Sequence, residues 1–298
     1  MSRINASSLV GVTSASFFVL LWSSAAIVSK WGLAHASPVA FLIGRFAIAL
    51  GALLILGPLL GLRLPKQPRE RRRALLTGLV LLGFYPICYV WALQLQVTPG
   101  LIATLLGVQP ILTGLLTERR FSAARLVGLL LGLGGLVLVV WQGIGMAGLT
   151  LGGLACALLA LLGITFGTLL QKGLTESPLG SLPLQYVAGL LLCLALLPTQ
   201  PLRFDWSPEL LLSLLWMGLL VSVGATLLLY RLIARGNLVQ VTSLFYLVPA
   251  VTALLDYLAF GNRLGPLSLL GMALIVAGLL LVFRQPRERG GEAQTEAS

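Results

Sequence analysis

The chain alternates between long apolar runs and short polar interruptions. Ten such runs lie at about residues 9–29, 38–61, 74–95, 98–117, 126–142, 150–171, 182–199, 209–230, 238–260 and 266–283. Each approaches the roughly 20 residues a helix needs to cross about 30 Å of hydrocarbon. In lipid the backbone must satisfy its own hydrogen bonds, so runs of this length read as helices. Several interruptions are only a few residues long, which makes sequential helices antiparallel neighbours. The pattern predicts an all-α integral membrane protein with ten transmembrane helices.

Composition agrees. Of 298 residues 58% are hydrophobic and 10% charged, against about 25% charged in a soluble domain. Mean hydropathy is +0.99. The net charge of +11 does not point to nucleic acid, because the basic residues cluster between apolar runs. They read as membrane-flanking loops, and they orient the bundle. With the amino terminus inside, one side collects sixteen: Arg3, Arg63, Lys66, Arg69, Arg71, Arg72, Arg73, Arg119, Arg120, Arg125, Lys172, Arg231, Arg235, Arg284, Arg287 and Arg289. The other side collects Arg203 and Arg263. Both termini are therefore expected in the cytoplasm. The first run reads as a retained helix rather than a cleaved leader, and the polar tail at 284–298 as disordered.

The two halves are similar. VTPGLIATLLGVQPILTGLL and RLVGLLLGLGGLVLVV in the first answer NLVQVTSLFYLVPAVTALL and SLLGMALIVAGLLLVF in the second. Pro110 matches Pro249, Thr113 matches Thr252, Gly128 matches Gly271, and Gly135 matches Gly278. Ser37-Pro38 matches Ser177-Pro178. The expected domains are an N-terminal tail at 1–8, a first repeat at 9–142, a second at 150–283 and the C-terminal tail. Five helices is an odd number, so the second repeat starts from the opposite side and the repeats are inverted. Inverted repeats characterise secondary transporters, whose two halves exchange inward-open and outward-open shapes around a midplane site.

Four stretches resemble the EamA-type branch of the drug/metabolite transporter superfamily, a branch that includes an aromatic amino-acid exporter. They are LLWSSAAIVSKWGL with SPVAFLIGRFAIA, GVQPILTGLL with Glu118-Arg119-Arg120, LVGLLLGLGGLVLV, and LVPAVTALLDYLAFGNRLG with LLGMALIVAGLLLV. The chain departs from the family pattern at Asn262, where a glutamate is usual, and in a short interval between Pro110 and Glu118. The second-half counterpart of Arg45 falls near Gln185 or Tyr186. The resemblance implies a small-metabolite exporter of the bacterial inner membrane, with a solute cavity between the halves.

Polar residues and helix breakers within a span should face the bundle interior. Tyr85 and Tyr89 share a face of the third helix, beside the helix-bending Pro86. They read as an aromatic wall for a solute or as part of an interfacial belt. Pro110 and Pro249 bend the fourth and ninth helices near Gln109 and Thr113, and near Ser243 and Tyr246. Trp22 and Ser24 lie mid-span in the first helix. Thr165 and Thr168 share a face of the sixth. These ten side chains are the candidate solute contacts, with the three prolines as kinks. Arg45, the deepest cation, either holds a substrate carboxylate or pairs structurally with helix-end carbonyls. Asp256, a lone acid within a span, suggests proton coupling or an interfacial carboxylate. Gly128, Gly132 and Gly135 form a face that packs within the bundle or joins two protomers.

No catalytic set is evident. His35 is the sole histidine, and Cys88, Cys156 and Cys193 are scattered through apolar runs. There is no GxxxxGK[ST], GxSxG or HExxH, so neither ATP hydrolysis by a P-loop nor an intramembrane hydrolase is indicated, and no metal or cofactor. The expected function is export of small organic metabolites, with amino acids of aromatic or amphipathic character favoured. The partners are a small solute and the lipid bilayer, with no nucleic acid. The alternatives are a facilitator of other metabolites or drugs, or a non-transporting membrane scaffold.

Overall fold

The computed structural model describes residues 6–59, 61–95, 97, 99–118, 122–141, 150–175, 177–260 and 265–283. The two tails, Arg119, Arg120, Asn262 and Arg263 lie outside the described residues, and of Lys30 and Asp256 only the backbone is described.

Ten helical passes follow one another: α1 (Ala6–His35), α2 (Pro38–Leu56), α3 (Pro68–Gln94), α4 (Pro99–Leu106 and Gln109–Thr117), α5 (Ala123–Val140), α6 (Leu151–Lys172), α7 (Pro178–Ala195), α8 (Pro208–Arg235), α9 (Leu238–Ser243, Leu244–Tyr246 and Leu247–Phe260) and α10 (Pro266–Phe283). Nine are long and apolar enough to span a membrane, among the described residues. The broken α4 is the tenth pass. Polar side chains start several helices by accepting orphan N–H groups: Ser122 from Arg125, Thr150 from Gly153, Ser177 from Gly180, Ser207 from Leu210 and Asn237 from Gln240. Proline stands in the first turn after several starts, where its missing N–H costs nothing.

The boundaries differ from the hydrophobic runs where charge sits on a helix. α3 begins at Pro68, so Arg69, Arg71, Arg72 and Arg73 form its first turns. At 27 residues it is about 40 Å long against a core of about 30 Å, so these turns stand at headgroup level. α4 is interrupted at Gly107-Val108, where Val108 N–H donates to the Leu105 carbonyl at 3.0 Å and Ile111 N–H to the Val108 carbonyl at 3.0 Å. Pro110 cannot donate to an earlier carbonyl, and tighter turns take up the mismatch. In α9 the equivalent adjustment is the 3₁₀ turn Leu244–Tyr246, just before Pro249.

Wider turns occur in α3 and α8. A π-helical stretch covers Leu79–Phe84 and another Trp216–Ala225. The first ends beside Pro86, which lacks the N–H that would continue the ladder. The second ends at Thr226, whose hydroxyl donates to the Val221 carbonyl at 3.2 Å.

The glycines prove the inversion. A methyl placed on Gly128 would fall 2.6 Å from the Gly278 carbonyl oxygen, and one on Gly135 2.5 Å from that of Gly271. As the number rises on α5 it falls on α10, so these corresponding helices run antiparallel. The contacts are also reciprocal: exchanging Gly128 with Gly271 and Gly135 with Gly278 turns one pair into the other, as a two-fold axis in the membrane plane requires. The axis also passes α2 and α7, where Phe46 and Tyr186 face each other. Gly78 on α3 packs on the Gln185 backbone of α7, and Gly218 on α8 packs on Ile48 and the Arg45 carbonyl of α2. The glycine face of α5 is thus used up within the chain. The main core joins α1, α2, α3, α7 and α8, while smaller clusters join α5, α9 and α10, and α3, α4 and α6.

Candidate functional site

Arg45 projects from α2 beside the pseudo-two-fold axis. Its Nε donates to the Ser222 hydroxyl on α8 at 2.9 Å, and its guanidinium carbon lies 5.4 Å from the Phe46 ring centroid. It is close enough to the phenols of Tyr186 on α7 and Tyr85 on α3 to interact with them electrostatically. No carboxylate forms an ion pair with it among the described residues.

Around this cation the walls are tight. Phe46, Tyr186 and Ser222 are closed off from solvent, the Phe46 and Tyr186 rings stand 5.6 Å apart, and the Tyr186 hydroxyl donates to the Ser222 carbonyl. Towards the basic face a buried chain continues: Tyr230 OH donates to Gln185 Oε1 at 2.6 Å, and Gln185 Nε2 to Gln171 Oε1 at 2.8 Å. Lys172 closes this end by donating to the carbonyls of Ile233 at 2.6 Å and Gly236 at 2.8 Å, capping α8.

Arg45, Tyr85 and Tyr89 are only half-buried. Arg45 reaches across to α8 through Ser222, and its electrostatic neighbours stand on α3 and α7. Tyr85 and Tyr89 have ring centroids 6.2 Å apart, one helical turn on the same face of α3. Arg45 and Tyr85 are therefore brought together, with Pro86 next to them and half-buried.

The other candidates form separate groups. Trp22 packs with Phe18 and Phe245, with centroid distances of 5.3 and 5.5 Å. Ser24 accepts from Trp216 Nε1 at 3.0 Å and donates to the Leu21 carbonyl at 2.7 Å. Beside them α1 and α9 are tied: Ser23 Oγ donates to the Val248 carbonyl at 3.2 Å, next to Pro249, and Thr252 Oγ1 donates to the Ser23 carbonyl at 3.2 Å. Gln109 is buried and donates to Thr168 at 3.4 Å, while Thr165 and Thr168 bond back to their own helix through Leu161 and Thr165. Thr113 and Pro110 are buried, and the Thr113 hydroxyl has no hydrogen-bond partner among the described residues.

Ser243 and Tyr246 do not join the Arg45 group. Ser243 is buried and bonds back to Val239 at 2.7 Å. Tyr246 is wedged against Gly132 of α5, in the cluster with Leu129, Ile275 and Val282. The 3₁₀ turn at Leu244–Tyr246 advances about 120° per residue instead of about 100°, which rotates the face that helical counting assigns.

Ser222, Tyr186 and Trp216 were not among the sequence candidates. Trp216 carries the signal that singled out Trp22, an indole well inside a span. Nothing in the sequence around Ser222 marks it. Among the described residues no three of His, Cys, Asp and Glu gather as a metal site.

The sequence profile of the EamA-like transporter family matches residues 9–141 and again 151–284. The chain belongs to the EamA-like transporter family. It is a multi-pass membrane transporter for small solutes and not an enzyme. Among its relatives is a probable terminal-alkyne amino-acid exporter of Streptantibioticus cattleyicolor, 27% identical over 93% of this chain and 94% of the relative. Another is the uncharacterized transporter YvbV of Bacillus subtilis, 25% identical over 89% of each chain. A crystal structure superposes with a TM-score of 0.76 at 21% identity, covering 92% of this chain and 96% of the other, and shares the fold.

Proposed function

We propose that this transporter exports small zwitterionic metabolites of the amino-acid class across a bacterial inner membrane, with both termini cytoplasmic. Arg45 carries the reading. An intramembrane cation with no acidic partner among the described residues is expensive, and a substrate carboxylate would neutralise it with charge-assisted hydrogen bonds. Tyr85 stands beside it and Tyr89 against Tyr85, and this aromatic surface favours an aromatic or amphipathic side chain. The relative from Streptantibioticus cattleyicolor, named for an amino acid, supports the same class.

The two repeats, residues 9–142 and 150–283, rock about the axis at Phe46 and Tyr186. The solute meets Arg45 from alternate sides of the membrane. A single guanidinium suits one carboxylate, whereas a doubly charged phosphate ordinarily needs a fuller basic clamp. Uptake into proteoliposomes of labelled aromatic, aliphatic and acidic amino acids, a polyamine, a nucleoside and a sugar phosphate tests the proposal. Saturable uptake of an amino acid, competed by others and lost in Arg45→Gln, supports it. Saturable uptake of the polyamine or sugar phosphate alone overturns it.

A further inference from the structure

The first turns of α3 carry four arginines, and two of them are committed. Arg71 Nε donates to the Pro65 carbonyl at 2.7 Å, and Arg73 pairs with Glu70 at 3.0 Å. Arg69 and Arg72 are exposed and form no ion pair among the described residues. Three residues apart, they continue along the helix into Leu76 and Leu79 on the same face.

Below Arg72 the surface between α3 and α7 is hollowed into an apolar groove with a volume of about 430 Å³. Leu76 and Leu79 of α3 line its end near Arg72, and Ala188, Leu192 and Ala195 of α7 line its continuation. Gly83 and Gly189 approach each other closely in the same α3–α7 seam. These glycines set the register of the two parallel helices. Arg72 lies eleven residues before Gly83 and Ala195 six beyond Gly189, so the groove runs about 25 Å down the bilayer, the reach of one acyl chain.

The pseudo-symmetric position is an internal comparison. α8 also begins on a proline, and its residues matching Arg69 and Arg72 are Glu209 and Leu212. By the inversion these positions open onto the opposite face of the membrane, so the arginine pair is confined to the basic face. A cationic pair at headgroup depth above a chain-length apolar groove has the shape and charge of an anionic phospholipid.

We propose that the α3–α7 groove is a binding site for an anionic phospholipid. One acyl chain lies along Leu76, Leu79 and Leu192, and the headgroup phosphate meets Arg69 and Arg72. The bilayer is the source of this ligand, and the site is separate from the solute site.

Native mass spectrometry of the full-length protein, titrated with phosphatidylglycerol or phosphatidylcholine of the same acyl chains, tests this. The first phosphatidylglycerol should bind at least about ten-fold tighter than phosphatidylcholine. The double variant Arg69→Gln/Arg72→Gln should lose about five-fold per arginine. Ala188→Trp fills the groove and keeps every charge, and it should abolish the tight first site. Should Ala188→Trp not fold, Ala195→Trp blocks the exposed end of the same groove. Equal affinity for the two lipids, or no change in the double variant, overturns the proposal. A groove-filled variant that keeps full preference for phosphatidylglycerol also overturns it, since only diffuse surface charge would then be acting.

Discussion

Phe46 and Tyr186 stand with ring centroids 5.6 Å apart, at matching positions eight residues after Pro38 and Pro178. Each occupies in its own repeat the place the other occupies in its repeat, so their contact marks the pseudo-two-fold axis. The same exchange turns Arg45 into Gln185. The axis is therefore flanked by a cation on one side and a neutral amide on the other, and the pair divides the labour. Gln185 is locked between Tyr230 and Gln171, while Arg45 spends one donor on Ser222.

Arg45→Gln should therefore weaken amino-acid transport more than it disturbs folding. A glutamine can still reach Ser222, but it cannot supply a charge-assisted bond, worth about 1.5–3 kcal/mol. The apparent KM for a carboxylate-bearing solute should rise about ten-fold or more. Thermal melting in detergent should stay near that of the parent. Initial-rate uptake together with a melting curve checks both.

Tyr230→Phe should leave the carbonyl of Gln185 without its donor in a buried setting. A loss of about 1–3 kcal/mol is expected, visible as a lower melting temperature in detergent. The residual transport should keep the parent's KM, since Tyr230 does not face Arg45.

The α5–α10 seam should tolerate no side chain at its crossing points. Gly135→Leu drives its side chain into the Gly271 backbone and should cost about 1–3 kcal/mol or more. Gly134→Ala, on the same helix with nothing within 4 Å of the new methyl, should change stability by less than about 0.5 kcal/mol. Paired melting curves separate a packing seam from a general intolerance of α5.

A reporter fused after Phe283 should be active only in the cytoplasm. The basic residues on the α2–α3 and α4–α5 connections and in the last turns of α8 favour this orientation. An external carboxyl terminus in protease-protection assays would reverse it.

Much of the architecture is legible in the sequence. Run length sets the number of passes, and Pro110 and Pro249 mark where α4 and α9 break. The matched order of Gly128, Gly135, Gly271 and Gly278 carries the repeat, and the odd number of five helices per repeat carries the inversion. The π-helical stretch in α3 is announced by Pro86, whereas its counterpart ends at Thr226, a residue that prefers no such turn. The site is less legible. Tyr85 and Tyr89 share a face of α3 as their spacing suggests, whereas nothing in the sequence pairs Tyr85 with Arg45. Ser222 and Tyr186 enter only through packing between repeats, far away in sequence. Tyr246 shows the limit most clearly, because three residues of 3₁₀ helix turn its face towards Gly132.

The account rests on a carboxylate-binding role for Arg45 at the axis, and solute counterflow tests that most directly. Proteoliposomes preloaded with unlabelled phenylalanine should accumulate labelled phenylalanine. Phenylethylamine, which keeps the ring and the amine but lacks the carboxylate, should neither drive nor compete. Arg45→Gln should abolish the discrimination between the two. Equal exchange of phenylalanine and phenylethylamine by the parent protein would contradict the account.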